Sequence, residues 1–225
     1  GAELIQNRIF VPGGCAGDGV PLDVVEVYDP AADTWRAVAP LPRPLCAHAL
    51  AAHEGSLYLF GGTDGQGYLA TTYVYDPASD QWEERAPMPQ ARALAAAVPL
   101  AGRIYVVGGY RSGRELASCD VYDPAANSWE TCRPLTMARG GLGLVNLGGQ
   151  LYAIGGGGME GYLGFNERYD PSEDLWIAVE TPLVGSWQGA GVTLMDLIVY
   201  AVGGSSDDYL SRTWTFEPLP FRIFI

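Results

Sequence analysis

Two histidines, four cysteines and thirteen arginines carry most of the chemical potential of this 225-residue chain. There is no lysine, so Schiff-base chemistry and a phosphate-loop lysine are excluded. His48 and His53 fall five apart on one predicted innermost strand and should point to opposite faces, which leaves no shared metal site. Residues 156–161 satisfy G-x-G-x-x-G, but a dinucleotide loop needs a helix next, and Tyr169-Asp170-Pro171 follows in strand register. No nucleophile elbow, Cys/His pairing or calcium-type acidic run is present, so no catalytic residue, metal or cofactor is expected. What remains is binding chemistry. Arg43, Arg92, Arg111, Arg114 and Arg139 could clamp carboxylates in bidentate fashion, with Tyr110 and Trp187 supplying stiff aromatic contact area. Arg92 and Arg139, 47 residues apart, have a second reading as repeated structural parts paired with local carboxylates or carbonyls.

The elements that must position these residues come from an internal repeat. Glycine doublets occur at Gly13-Gly14, Gly61-Gly62, Gly108-Gly109, Gly155-Gly156 and Gly203-Gly204. Tyr28, Tyr75, Tyr122, Tyr169 and Phe216 follow in steps of 47, as do Trp35, Trp82, Trp129 and Trp176, with Ile223 closing that series. Leu22, Leu69, Leu116, Leu163 and Leu210 keep the same register. Each unit reads as four short strands. An apolar β-rich run such as Ile104-Tyr105-Val106-Val107 ends at the doublet, and the third strand ends at Tyr-Asp-Pro. The fourth starts at the tryptophan. Asp33, Asp80, Asn127 and Asp174 sit in the hairpin before it, where Asp or Asn tolerates a left-handed backbone. Such a unit cannot bury both sheet faces alone, so neighbours must stack, and a ring of blades is the expected solution.

The diglycine, the spaced tyrosine and the later tryptophan resemble the kelch repeat. That resemblance spans essentially all 225 residues and implies an all-β propeller of five four-stranded blades in one domain. The approximate units are 1–45, 46–92, 93–139, 140–186 and 187–225. The run Phe221 to Ile225 is expected to finish the fifth blade and close the ring, unless the chain is part of a larger propeller. Kelch domains are often interaction modules, so the resemblance implies a non-catalytic scaffold for a protein or peptide. The alternative is a carbohydrate-binding or sugar-modifying propeller, since some kelch-type propellers are galactose oxidases or sialate mutarotases. Trp187, Tyr110, Glu160 and Asp207 would then face the sugar.

A net charge of −13 argues against nucleic acid, and no apolar stretch approaches the roughly 20 residues of a membrane helix. The compartment stays open. Second-to-third strand loops and blade-to-blade connections share one face of the disc, and binding specificity is expected there. Tyr68, Tyr162 and Tyr209, beside the leucine column, are expected to pack rather than bind. If Tyr122 faces Trp129 across its hairpin, Cys119 and Cys132 are directly opposed cross-strand neighbours. The expectation is two reduced, buried thiols, with a disulfide as the alternative; Cys15 and Cys46 have no evident partner.

Overall fold

A computed structural model describes residues 1–158, 161–162, 166–179, 189–205, 211 and 213–216. The chain is an all-β, five-bladed propeller arrangement in which the described residues supply four strands to each of the first four blades and three to the fifth. The first blade comprises β1 (Glu3–Ile5), β2 (Arg8–Pro12), β3 (Val25–Asp29) and β4 (Thr34–Val38). The second comprises β5 (Ala49–His53), β6 (Ser56–Phe60), β7 (Thr72–Asp76) and β8 (Gln81–Arg85). The third contains β9 (Ala96–Leu100), β10 (Arg103–Val107), a small hairpin of β11 (Tyr110–Arg111) and β12 (Arg114–Glu115), then β13 (Cys119–Asp123) and β14 (Ser128–Cys132). The fourth repeats that plan with β15 (Gly143–Leu147), β16 (Gln150–Ile154), β17 (Gly157–Gly158), β18 (Gly161–Tyr162), β19 (Asn166–Asp170) and β20 (Leu175–Val179). In the fifth, β21 (Gly191–Met195), β22 (Ile198–Val202) and β23 (Thr213–Phe216) are described. Every pairing is antiparallel.

The turn chemistry explains why the sequence takes this form four times over. Asp33, Asp80, Asn127 and Asp174 all adopt left-handed backbone, with φ of 52°, 55°, 48° and 46°. Each accepts a hydrogen bond from the hydroxyl of its own tyrosine, Tyr28, Tyr75, Tyr122 or Tyr169, at 2.6–2.8 Å. Tyrosine and tryptophan then face each other across the hairpin with ring centroids 5.0 Å apart in all four. At the glycine doublet the requirement is steric as well as conformational. A Cβ on Gly108, whose φ is +67°, would lie 2.5 Å from the Arg139 carbonyl oxygen.

Blades are joined by the same residues. Trp82, Trp129 and Trp176 each donate an indole N–H to a carbonyl of the preceding blade's outgoing chain, at Ala39, Ala86 and Arg133. The main-chain N–H groups of those three residues donate to Asp80, Asn127 and Asp174. Inner strands pack in succession, β1 on β5, β5 on β9, β9 on β15 and β15 on β21. They surround an axial cavity of about 330 Å³ whose wall takes Glu3, Ala52, Ala97, Leu144 and Val192 from the five blades.

Trp35, whose counterpart Trp176 is 2% exposed, is 56% exposed: among the described residues no blade covers this face of the first. The expected terminal strand, Phe221 to Ile225, lies outside the described residues.

Candidate functional site

One face of the disc carries loops mounted by a second repeated device. The N–H and carbonyl of Ala93, in the connection between the second and third blades, exchange hydrogen bonds with Tyr110 at 3.0 and 2.7 Å. Cys46 with Thr63 and Gly140 with Gly157 do the same one blade earlier and one blade later. Each loop is thereby sewn to the connection that enters its blade.

The hairpin of β11 and β12 turns on Ser112 and Gly113, both with positive φ, as a two-residue hairpin requires. Tyr110 is paired with Glu115, and Arg111 directly with Arg114. Both arginines are exposed, and among the described residues neither forms an ion pair. Like charges facing each other across a strand pair destabilise it, so this placement works against the hairpin's own stability. Tyr110 meets Tyr68 of the neighbouring blade edge-on, with ring centroids 6.0 Å apart. Arg43, also exposed, lies 3.7 Å from Asp64.

Arg92 and Arg139 are placed differently. Both are buried, so they leave the exposed cationic sector to Arg43, Arg111 and Arg114. Arg92 donates to Asp120 at 2.5 Å and to Ser118; Arg139 donates to Glu167 at 2.9 Å and to the Gly155 carbonyl at 2.8 Å. Burial lowers both guanidinium pKa values, and the paired carboxylates push them back up. Stepping back 47 residues from Arg92 and from Asp120 reaches Leu45 and Tyr73, which share one apolar cluster. A buried ion pair in two blades is therefore an apolar pair in another. The carboxylates were not singled out from sequence, although this joint exchange of two columns was available to find them.

The cysteine expectation is corrected. Cys119 and Cys132 are cross-strand partners as the residue sum requires, but they form a disulfide rather than two thiols. Cys15 and Cys46 form a second. Cys46 already pairs its backbone with Thr63 of the second blade, so its side chain reaches back to the first blade's loop and links the two. The connection's passage between adjacent loops creates this proximity, which no spacing rule in the sequence displays.

The histidines do not meet. His53 ends β5 beside Glu54 and Tyr58, whereas His48 precedes that strand, and burial lowers its pKa to about 4. Among the described residues no three of His, Cys, Asp and Glu are grouped to hold a metal. Glu3 in the axial wall was also passed over; burial raises its carboxyl pKa to about 7. Trp187, Glu160, Asp207 and Tyr209 lie outside the described residues, as does the side chain of Tyr162.

A profile of the KLHDC2/KLHL20/DRC7 kelch-repeats domain matches residues 2–156, and one of the kelch motif matches residues 138–182. The chain belongs to the kelch-repeat family. Kelch-like protein 33 of Homo sapiens is 44% identical over 68 residues, 30% of this chain and 13% of that protein. Alpha-scruin of Limulus polyphemus is 41% identical over 59 residues, 26% of this chain and 6% of that protein. The chain thus spans a small part of the relatives it matches. The solved structure of YjhT superposes with a TM-score of 0.80 over 95% of this chain and 79% of the other, at 16% identity, a likeness of fold.

Proposed function

We propose that this kelch propeller is a non-catalytic scaffold that holds an acidic protein or peptide segment on its loop face, with Arg111 and Arg114 as the anchor. The observation that carries the reading is the pair of exposed arginines set opposite each other on a sewn-down hairpin, in a chain of net charge −13. Two guanidiniums held this way offer a preformed seat for carboxylates, and a bound anion would relieve their mutual repulsion. Tyr110 and Tyr68 flank them with apolar area, and Arg43 belongs to the same face. Kelch domains are often interaction modules, which agrees with this assignment.

A peptide display library selected on the chain should enrich Asp- and Glu-rich sequences. The Arg111→Glu/Arg114→Glu variant should bind the selected peptides at least ten-fold more weakly while melting within a degree or two of the parent. Peptides without acidic bias, or equal binding by the variant, would sink the proposal. Of the residues named for a sugar site, Tyr110 is described, and a positive glycan array would favour that alternative.

A further inference from the structure

One residue, Cys46, fastens two loops of this face at once. Its N–H and carbonyl exchange hydrogen bonds with Thr63 of the second blade at 3.0 and 2.9 Å, while its sulfur is bonded to Cys15 of the first. Cys15, Thr63, Tyr110 and Gly157 each follow their glycine doublet, and Ala93 and Gly140 stand in the column of Cys46. The junctions at Ala93 and Gly140 hold Tyr110 and Gly157 through the main chain and carry no cysteine, so the fold does not depend on a bridge at this place. What the bridge adds is a hold on residues 15–21. The base of that loop is rooted separately, since the Gly14 N–H donates to the Leu45 carbonyl and the Leu45 N–H to the Leu22 carbonyl. Pro21 lies against the second loop, where a Cβ on Gly65 would be 3.5 Å from the proline Cδ. The second loop pairs Thr63 with Tyr68, and Tyr68 meets Tyr110 edge-on. A continuous set of contacts thus runs from the bridge to the arginine hairpin.

The two disulfides differ in what they hold and in who can reach them. Cys119 is 2% exposed, and its bridge spans β13 and β14, which are already paired along their whole length, so opening it releases nothing. Cys15 is exposed, and thiol–disulfide exchange depends on access to the sulfur. We propose that the Cys15–Cys46 bridge is a redox-sensitive clamp on the loop face, which weakens binding of the acidic segment when a dithiol reductant opens it. The inference rests on the proposed peptide site and names its regulation. A thiolate of the reductant attacks the Cys15 sulfur, the S–S bond breaks, and Cys46 leaves as a thiolate that takes up a proton. The second thiolate of the reductant then displaces Cys15, which is protonated in turn, and closes the reductant's own disulfide; two electrons pass to the protein. Closed, the bridge holds residues 15–21 and, through Pro21 and Cys46, the loop that carries Tyr68. Opened, it leaves those loops to be ordered by the ligand, and affinity falls for that reason.

The test exposes the oxidised chain briefly to dithiothreitol, traps thiols with iodoacetamide and maps them by mass spectrometry. Cys15 and Cys46 should be labelled well before Cys119 and Cys132. Hydrogen exchange on the singly opened form should be at least about ten-fold faster in residues 15–21 and 63–68 and unchanged in β9 and β10. Peptides selected on the oxidised chain should bind that form about three- to ten-fold more weakly, the effect of re-ordering one side chain on binding. Cys15→Ser should bind like the opened form and ignore dithiothreitol, with Cys46→Ala as the substitute if it does not fold. Cys119→Val/Cys132→Val should keep the response of the parent. Labelling of all four cysteines together, or unchanged exchange in both loops, would overturn the clamp. So would equal peptide affinity in the two redox states. Peptides that respond to dithiothreitol but not to Arg111→Glu/Arg114→Glu would sink the arginine anchor and leave the clamp standing.

Discussion

Arg139→Leu should be among the more damaging single substitutions in this scaffold, while Arg139→Leu with Glu167→Tyr should be nearly silent. The single change leaves Glu167 buried without its counter-ion, a situation that costs about 3–5 kcal/mol in other proteins. The Thr136 N–H still donates to Glu167 at 2.7 Å, which places the cost near the lower end, about 3 kcal/mol. For a chain of this length that is a fall in melting temperature of about 6–12 °C. Glu167→Tyr alone removes the carboxylate that offsets the buried guanidinium charge and should cost a similar amount. The double variant rebuilds the Leu45/Tyr73 combination that the first-to-second blade junction already contains. Replacing a buried ion pair by packed apolar groups is often close to neutral, so the double variant should fall within about 1–2 kcal/mol of the parent. The coupling in the cycle would then be at least ~2 kcal/mol. Urea denaturation followed by circular dichroism on all four proteins measures it. If the double variant loses the sum of the two singles, the columns are not interchangeable and the exchange with Leu45 and Tyr73 has no structural meaning.

Air-oxidised folded protein should show no titratable thiol until reduced, and then four; reduction should cost about 2–4 kcal/mol per bridge, the usual range for disulfides closing loops of this size. Four thiols titrating before reduction would contradict both pairings. Glu3 makes stability fall with pH. Burial raises its folded pKa from the ordinary 4.5 to about 7, so the folded state holds the proton more tightly and stability declines between those values and levels off above them. Glu3→Gln should remove that slope, melting higher than the parent at pH 8 and level with it near pH 4; parallel profiles would show that Glu3 is not the source.

The scaffold was legible because each structural residue is repeated, so any one position is read several times over. The left-handed turn at Asp33, Asp80, Asn127 and Asp174, the glycine doublets and the cross-strand meeting of Cys119 with Cys132 all follow from register alone. Arginine side chains were harder to place. Arg92 and Arg111 are the same residue type on the same side of the disc, and what separates them is a carboxylate 28 residues after Arg92, visible only when two columns are compared. The Cys15–Cys46 bridge was illegible for another reason. It depends on how a connection threads between loops of adjacent blades, which is a property of blade packing and not of strand pairing.

Arg92 and Ala93 show how the repeated and the irregular parts of the molecule depend on each other. The Arg92 side chain runs inward to Asp120, while the main chain of the next residue holds Tyr110 from both sides. A Cβ on Gly109, between them, would lie 2.9 Å from the Ala93 carbonyl and 3.1 Å from the Arg92 Cδ, so the connection is packed directly on the doublet. The buried arginine thus acts on the loop face without being exposed on it: it fixes the connection, the connection fixes the start of the hairpin, and the hairpin sets Arg111 opposite Arg114. Like charges opposed across a strand pair cost stability, and the main-chain bonds between Ala93 and Tyr110 hold the start of this hairpin in place. The same reasoning explains why the fourth blade, with Arg139 and the Gly140–Gly157 bridge, has an equally well-mounted hairpin whose described residues are mostly glycine. The mount is common to the blades, and the chemistry it presents differs from one blade to the next.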